Sequence, residues 1–151
     1  MIAQNLIISY LDKTRLMQLA TTVNNQPWCC TVYFAHDNSH NLYWISDPRS
    51  KHSQHIAKNP NVSAAMVVPI QGANMPGIQV MGVAREVTNP KEIEILFGAY
   101  AERYTAHNKL ADIISGKNPR HLYQLKPKQF ILFDPASFPG QPRQEWRLNQ
   151  N

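Results

Sequence analysis

Leu42-Tyr43-Trp44-Ile45-Ser46-Asp47-Pro48-Arg49-Ser50-Lys51-His52-Ser53-Gln54-His55-Ile56-Ala57-Lys58-Asn59-Pro60 passes from a strand signal through a corner into a helix signal. Its opening residues are aromatic or branched and predict a strand over 42–45, ended by Asp47-Pro48-Arg49. Ser50 stands where an N-cap belongs and Asn59-Pro60 is a stop signal, so 50–58 predicts a short helix. The helix opens with Ser50, Lys51 and His52. The first amides of a helix have no partner within it and favour an anion. A cation there opposes the helix dipole, at a cost of ~0.3–1 kcal/mol unless an anion compensates. Taken alone, these residues read first as a solvated basic face, with a phosphate, given a charge by Lys51 and a donor by His52, as the second reading.

Working outward, Ile2, Leu6, Ile7, Tyr10 and Leu11 are spaced for one face of a helix over 2–12. Strands are expected at 16–23 and 28–35, joined by the turn Asn24-Asn25-Gln26-Pro27, and a second turn at 37–41 leads into 42–45. Connections this short predict an antiparallel meander. Beyond Pro60, strands are expected at 62–69 and 77–88, with Gly82 at a bulge or a close approach. Asn89-Pro90 starts a helix to about Arg103, and a shorter one covers 109–115. Strand returns at 122–133, interrupted by Lys126-Pro127. An irregular tail over 135–142 precedes a last short strand at 146–148. The expectation is a mainly β chain of about six antiparallel strands and three or four short helices. It forms a small barrel or sandwich with helices plugging its ends, in one domain over 1–151.

At 151 residues, with 43% hydrophobic and 17% charged, the chain fits one core of a soluble protein. The first ten residues carry no positive charge and no sustained apolar run, so they do not read as a signal peptide, and no stretch is long enough to cross a bilayer. A cytoplasmic location without membrane partners is expected. Adjacent Cys29 and Cys30 point to opposite faces of a strand, which disfavours a shared metal or a regular disulfide. The net charge of +5 is not gathered into one basic block, which argues against nucleic acid. His36 with His40, and His52 with His55, lack a third ligand nearby, so no metal is expected. Tyr33, Phe34, Tyr43 and Trp44 read as core or subunit contacts, and Trp146 as an interface or cofactor residue.

From Pro27 to Pro60 the chain resembles the FMN-binding split barrels of the pyridoxamine 5′-phosphate oxidase family. A strand pair ends in an aromatic-rich edge, Ser50-Lys51-His52 stands in place of Ser-Arg-Lys, and Lys58-Asn59-Pro60 closes the helix. Val80-Met81-Gly82-Val83-Ala84-Arg85-Glu86-Val87, followed by Asn89-Pro90, is similar to the family's later strand and helix start. The resemblance implies a Greek-key-like split barrel, working as a homodimer around paired FMN sites. It implies that Lys51 and His52 hold the FMN phosphate, and that Ile45 and Ser46 line the ribityl chain and ring. Thr31, Val32, Tyr33 and Phe34 would pass beneath the isoalloxazine and offer backbone hydrogen bonds. Gln79 would touch the polar edge of the ring, and Trp146 would reach the cofactor, from the same subunit or its partner.

Two departures bear on activity. The oxidases carry an Arg and a Lys on the strand beneath the flavin, where this chain has Cys30 and Ala35. A thiol does not replace a guanidinium fork. The implied function is an FMN-dependent oxidoreductase on an unidentified small molecule other than pyridoxamine 5′-phosphate. The alternative is a non-catalytic flavin or haem carrier or sensor on the same barrel. No acid or base is placed clearly enough to be named catalytic.

Overall fold

Asn24 and Asn25 both adopt positive φ, 52° and 59°, which is the geometry of a tight hairpin turn whose twist matches its strands. They join β1 (Leu16–Val23) to β2 (Gln26–Tyr33), paired antiparallel from Leu16↔Tyr33 to Val23↔Gln26. The computed structural model describes residues 2–72 and 74–149, so the ends of the expected 1–151 domain lie outside it. The strands are completed by β3 (Ala35–His36), β4 (Leu42–Ser46), β5 (Asn61–Val67), β6 (Gly77–Glu86), β7 (His121–Phe133) and β8 (Arg143–Arg147). Among the described residues four helices accompany them: α1 (Ala3–Lys13), α2 (Lys51–Lys58), α3 (Pro90–Tyr104) and α4 (Leu110–Ser115), the last preceded by a 3-10 turn at His107–Lys109.

The strands form one sheet in the order β2-β1-β5-β6-β7-β4-β3, with β8 also paired to β7. Every pairing is antiparallel. The expected single strand over 28–35 is in fact two, and the expected meander is not one. β2 and β3 lie at opposite ends of the sheet although Phe34 alone separates them in the chain. The Phe34 N–H donates to the Arg15 carbonyl at 3.0 Å and its own carbonyl accepts from the Tyr104 hydroxyl, so neither group joins a ladder. Because Phe34 alone links the two edge strands, the sheet must curl enough to bring its edges close at that residue. The result is a curled half-barrel of eight strands rather than about six.

Alternation sends Met17, Leu19, Val32, Trp44, Val80 and Phe130, among others, into the barrel. A second cluster lies outside it, where Ile93, Phe97 and Tyr100 of α3 and Ile113 of α4 pack on Tyr43 and Leu122. α3 starts as expected: Pro90 occupies its first turn and the Asn89 side chain accepts from the amides of Lys91 and Glu92. The 122–133 strand survives Pro127 because the ladder bulges there, against Met81/Gly82. Gly82 is both at the bulge and at a close approach, since a Cβ would overlap the Lys126 carbonyl oxygen.

Candidate functional site

α2 lies across the β1–β2 hairpin immediately after β4. Ser50 is its N-cap, but the Ser50 hydroxyl donates to Ser53 Oγ at 2.8 Å and caps no amide. No acidic residue stands in the first turn. The head of the helix therefore keeps its positive end uncompensated by the chain itself. Two cations flank it, and their circumstances differ. Arg49 is spent on Asp47, whose carboxylate accepts its Nε and Nη2 at 3.0 and 2.6 Å, and this holds the Asp47 carboxyl down at about 2. Lys51 has no carboxylate within ion-pair distance among the described residues, and its Nζ lies 4.3 Å from the centroid of the Trp28 ring.

His52 Nε2 lies 2.8 Å from the hydroxyl of Ser46, the buried last residue of β4, and 3.3 Å from that of Ser50. Burial, and then neighbouring His55, pull the His52 pKa below its ordinary value. His52 thus enters the site as a neutral hydrogen-bonding group fixed to the strand end. Its neighbours anchor the helix. His55 Nδ1 meets Thr21 Oγ1 at 3.0 Å, and Asn59 Nδ2 donates to the Thr22 carbonyl at 3.1 Å.

The remaining expected site residues are distributed by strand parity. Ser46 shares the inward face of β4 with Trp44, while Ile45 points the other way and packs on the α3 side. Of the two, Ser46 is the one brought to His52. On β2, Val32 faces the barrel interior, and Thr31 and Tyr33 face outward. β2 ends the sheet, so among the described residues its outer edge pairs with no other strand. Phe34 differs, because both its backbone groups are used within the chain. Gln79 is on the outer face of β6, opposite Ala65 and Ile131. Trp146 is on β8, opposite Phe130, where it stacks on that ring and meets His40 edge-on. β7 pairs Ser46 through His121 but Trp146 through Phe130, nine residues along the same strand, so one chain does not bring them together.

Cys30 is half-buried and faces the barrel beside Leu19; burial, with Cys29 adjacent, pushes its thiol up to about 11, so it stays neutral. Cys29 is exposed on the other face, and both cysteines are free. Ala35 is buried against the α3 cluster. His36 pairs with Asp12 at 2.8 Å. Among the described residues no three His, Cys, Asp or Glu side chains converge as a metal site. No helix among them is long and apolar enough to cross a membrane.

Two concavities lie away from the head of α2. One, of about 580 Å³, is bounded by Asp12, Arg15, His36, Asp37, Glu102 and Arg103. The other, of about 370 Å³, is on the outer sheet face and is lined by Gln18, Ala20, Cys29, Ala65, Gln79 and Met81 with other uncharged residues. Sequence reasoning passed over Trp28. The available signal was its parity with Cys30 and Val32, which turns it toward the face that α2 covers.

A curled antiparallel half-barrel with a helix closing over its first hairpin defines a split barrel. Residues 7–134 match the pyridoxamine 5′-phosphate oxidase family, and the chain belongs to it. No curated protein matches in sequence. Among solved structures, the general stress protein 26 of Bacillus anthracis str. Sterne is similar at 21% identity and a TM-score of 0.69, over 98% of this chain and 100% of that one. A FAD-binding protein of Mesorhizobium loti is 18% identical with a TM-score of 0.66, over 87% of this chain and 94% of that one. A haem-binding protein of Mycobacterium smegmatis is 16% identical with a TM-score of 0.72, over 91% of this chain and 56% of that one. At these identities the likeness is one of fold.

Proposed function

We propose that the chain is an FMN-binding flavoprotein, an oxidoreductase on a small molecule, acting as a homodimer. The observation that carries this reading is Lys51. It is a cation at the start of a helix with no acidic partner, next to a hydroxyl–imidazole pair and an open strand edge. A phosphate monoester brings close to two negative charges and needs cations and donors of this kind. The residues fit the group: Lys51 and the first amides of α2 would take the phosphate, Ser46 and His52 the adjoining polar chain, and the edge of β2 the ring. Bound flavin would supply hydride or electron transfer, and the protein position and electrostatics.

The homodimer is supported by the outer sheet face. Met81, Val67 and Phe133 are each at least half exposed there, around a concavity without charge. The lining of that concavity carries no charge and can pack on its own copy, with Arg143, Glu145 and Arg147 of β8 forming a charged row at its rim. Gln79 lies on that face, so a second copy would meet it. The deciding experiment is the visible spectrum of the purified protein before and after FMN is added. A flavin band supports the proposal. A Soret band favours a haem carrier on the same barrel, and a colourless protein that ignores FMN contradicts it.

A further inference from the structure

Lys51, His55 and Asn59 form one stripe along α2 at intervals of four residues, and all three rest on the β1–β2 hairpin. His55 and Asn59 do so by hydrogen bonds to Thr21 and Thr22. Lys51 does so through the Trp28 ring, with Nζ 4.3 Å from its centroid and no hydrogen bond or ion pair among the described residues. Trp28 pairs with Thr21 across the hairpin, so the supports for Lys51 and His55 are neighbours on one face. The distinction matters chemically. A ring face attracts the charge of an ammonium and accepts no conventional hydrogen bond, so the N–H donors of Lys51 stay available. Trp28 is 40% exposed, which leaves the pair open to ligand. Cys30, next on the same face of β2, is a neutral thiol and adds no charge.

We infer that Trp28 is a positioning residue for ligand phosphate, holding the Lys51 ammonium at the head of α2 before a phosphate monoester arrives. This rests on the flavin reading above. An unsupported lysine would have to be ordered by the ligand, and that ordering would be charged against affinity. With the ring in place the cation is ordered beforehand.

The test is fluorescence titration of FMN and riboflavin against wild type, Trp28→Leu, Trp28→Phe, Lys51→Met and the Trp28→Leu/Lys51→Met double variant. Trp28→Met, which keeps bulk without a ring, serves if the leucine variant does not fold. Trp28→Leu should weaken FMN by roughly two- to fivefold, the span of an exposed cation–π contact. Riboflavin should be unaffected, Trp28→Phe should retain most of the FMN affinity, and Trp28→Leu should cost nothing further once Lys51 is methionine. Unchanged FMN binding in Trp28→Leu overturns the inference. So does a riboflavin loss that matches the FMN loss, or an undiminished effect in the Lys51→Met background. Wild type that binds neither ligand overturns the flavin reading itself, a result distinct from those three.

Discussion

His52 Nε2 and Ser46 Oγ lie 2.8 Å apart and tie the first turn of α2 to the last residue of β4. The bond joins a helix to the strand before it across the Asp47-Pro48-Arg49 corner, so the loop end and the helix head are held as one unit. Its histidine is held below its ordinary pKa chiefly by burial. The folded chain favours neutral His52, so as the pH falls the unfolded chain takes up the proton first. The stabilisation is complete above the unfolded value of about 6.5 and is lost as the pH falls through the lowered folded value. Wild type should therefore lose more thermal stability between neutral and mildly acidic pH than His52→Gln does. Parallel melting curves for the two proteins across that range would contradict this.

Lys51→Ala should weaken FMN binding by roughly 1.5–3 kcal/mol, the span for a hydrogen bond to a charged group. Cys30 cannot compensate, because it stays a neutral thiol. Riboflavin lacks the phosphate and should bind both proteins almost equally. If riboflavin is lost along with FMN, Lys51 is structural.

Gly82→Ala should destabilise the fold by ~1–3 kcal/mol, the range for forcing atoms into a filled space. The added Cβ would meet the Lys126 carbonyl, which is backbone fixed by the β6–β7 ladder and its bulge. Urea unfolding of the two proteins measures the difference, and coincident midpoints would show that the bulge can yield.

Oxidation of pyridoxamine 5′-phosphate should be negligible. The two positions at which the oxidases carry cations hold a neutral thiol and a buried methyl group in this chain. An oxygen-uptake assay with FMN-loaded protein checks this, and turnover near ~1 per second, the low end of ordinary enzymes, would show it wrong.

Met81→Glu should shift the protein toward monomer. Met81 is half exposed beside the uncharged concavity, and twofold packing would bring two new carboxylates into one interface. Sedimentation at micromolar concentration reads the outcome. A wild-type monomer that still binds FMN would contradict the dimer.

Much of this was legible before folding. The Asn24-Asn25 hairpin, the helix between Ser50 and Asn59-Pro60, and the Asn89-Pro90 helix start are set by local chemistry: left-handed turn residues, caps, and proline's fixed φ. Gly82 was legible for the same reason, since a glycine inside an alternating strand announces a lack of room. The division of 28–35 into β2 and β3 was not. Phe34 leaves both ladders only because the Arg15 carbonyl and the Tyr104 hydroxyl, 19 and 70 residues distant, are there to satisfy its backbone.

Local chemistry set the hairpin turn, the helix starts and stops and the basic opening of α2, because these depend on neighbours within a few residues. Only the tertiary structure decided how the cations and side chains at that opening are deployed. Trp28 faces Lys51, Thr21 meets His55, and the Thr22 carbonyl accepts from Asn59. The partner of a charge or a ring depends on which strands the curling sheet brings together. That selection follows from burying the whole apolar face at once, which no local stretch of sequence specifies.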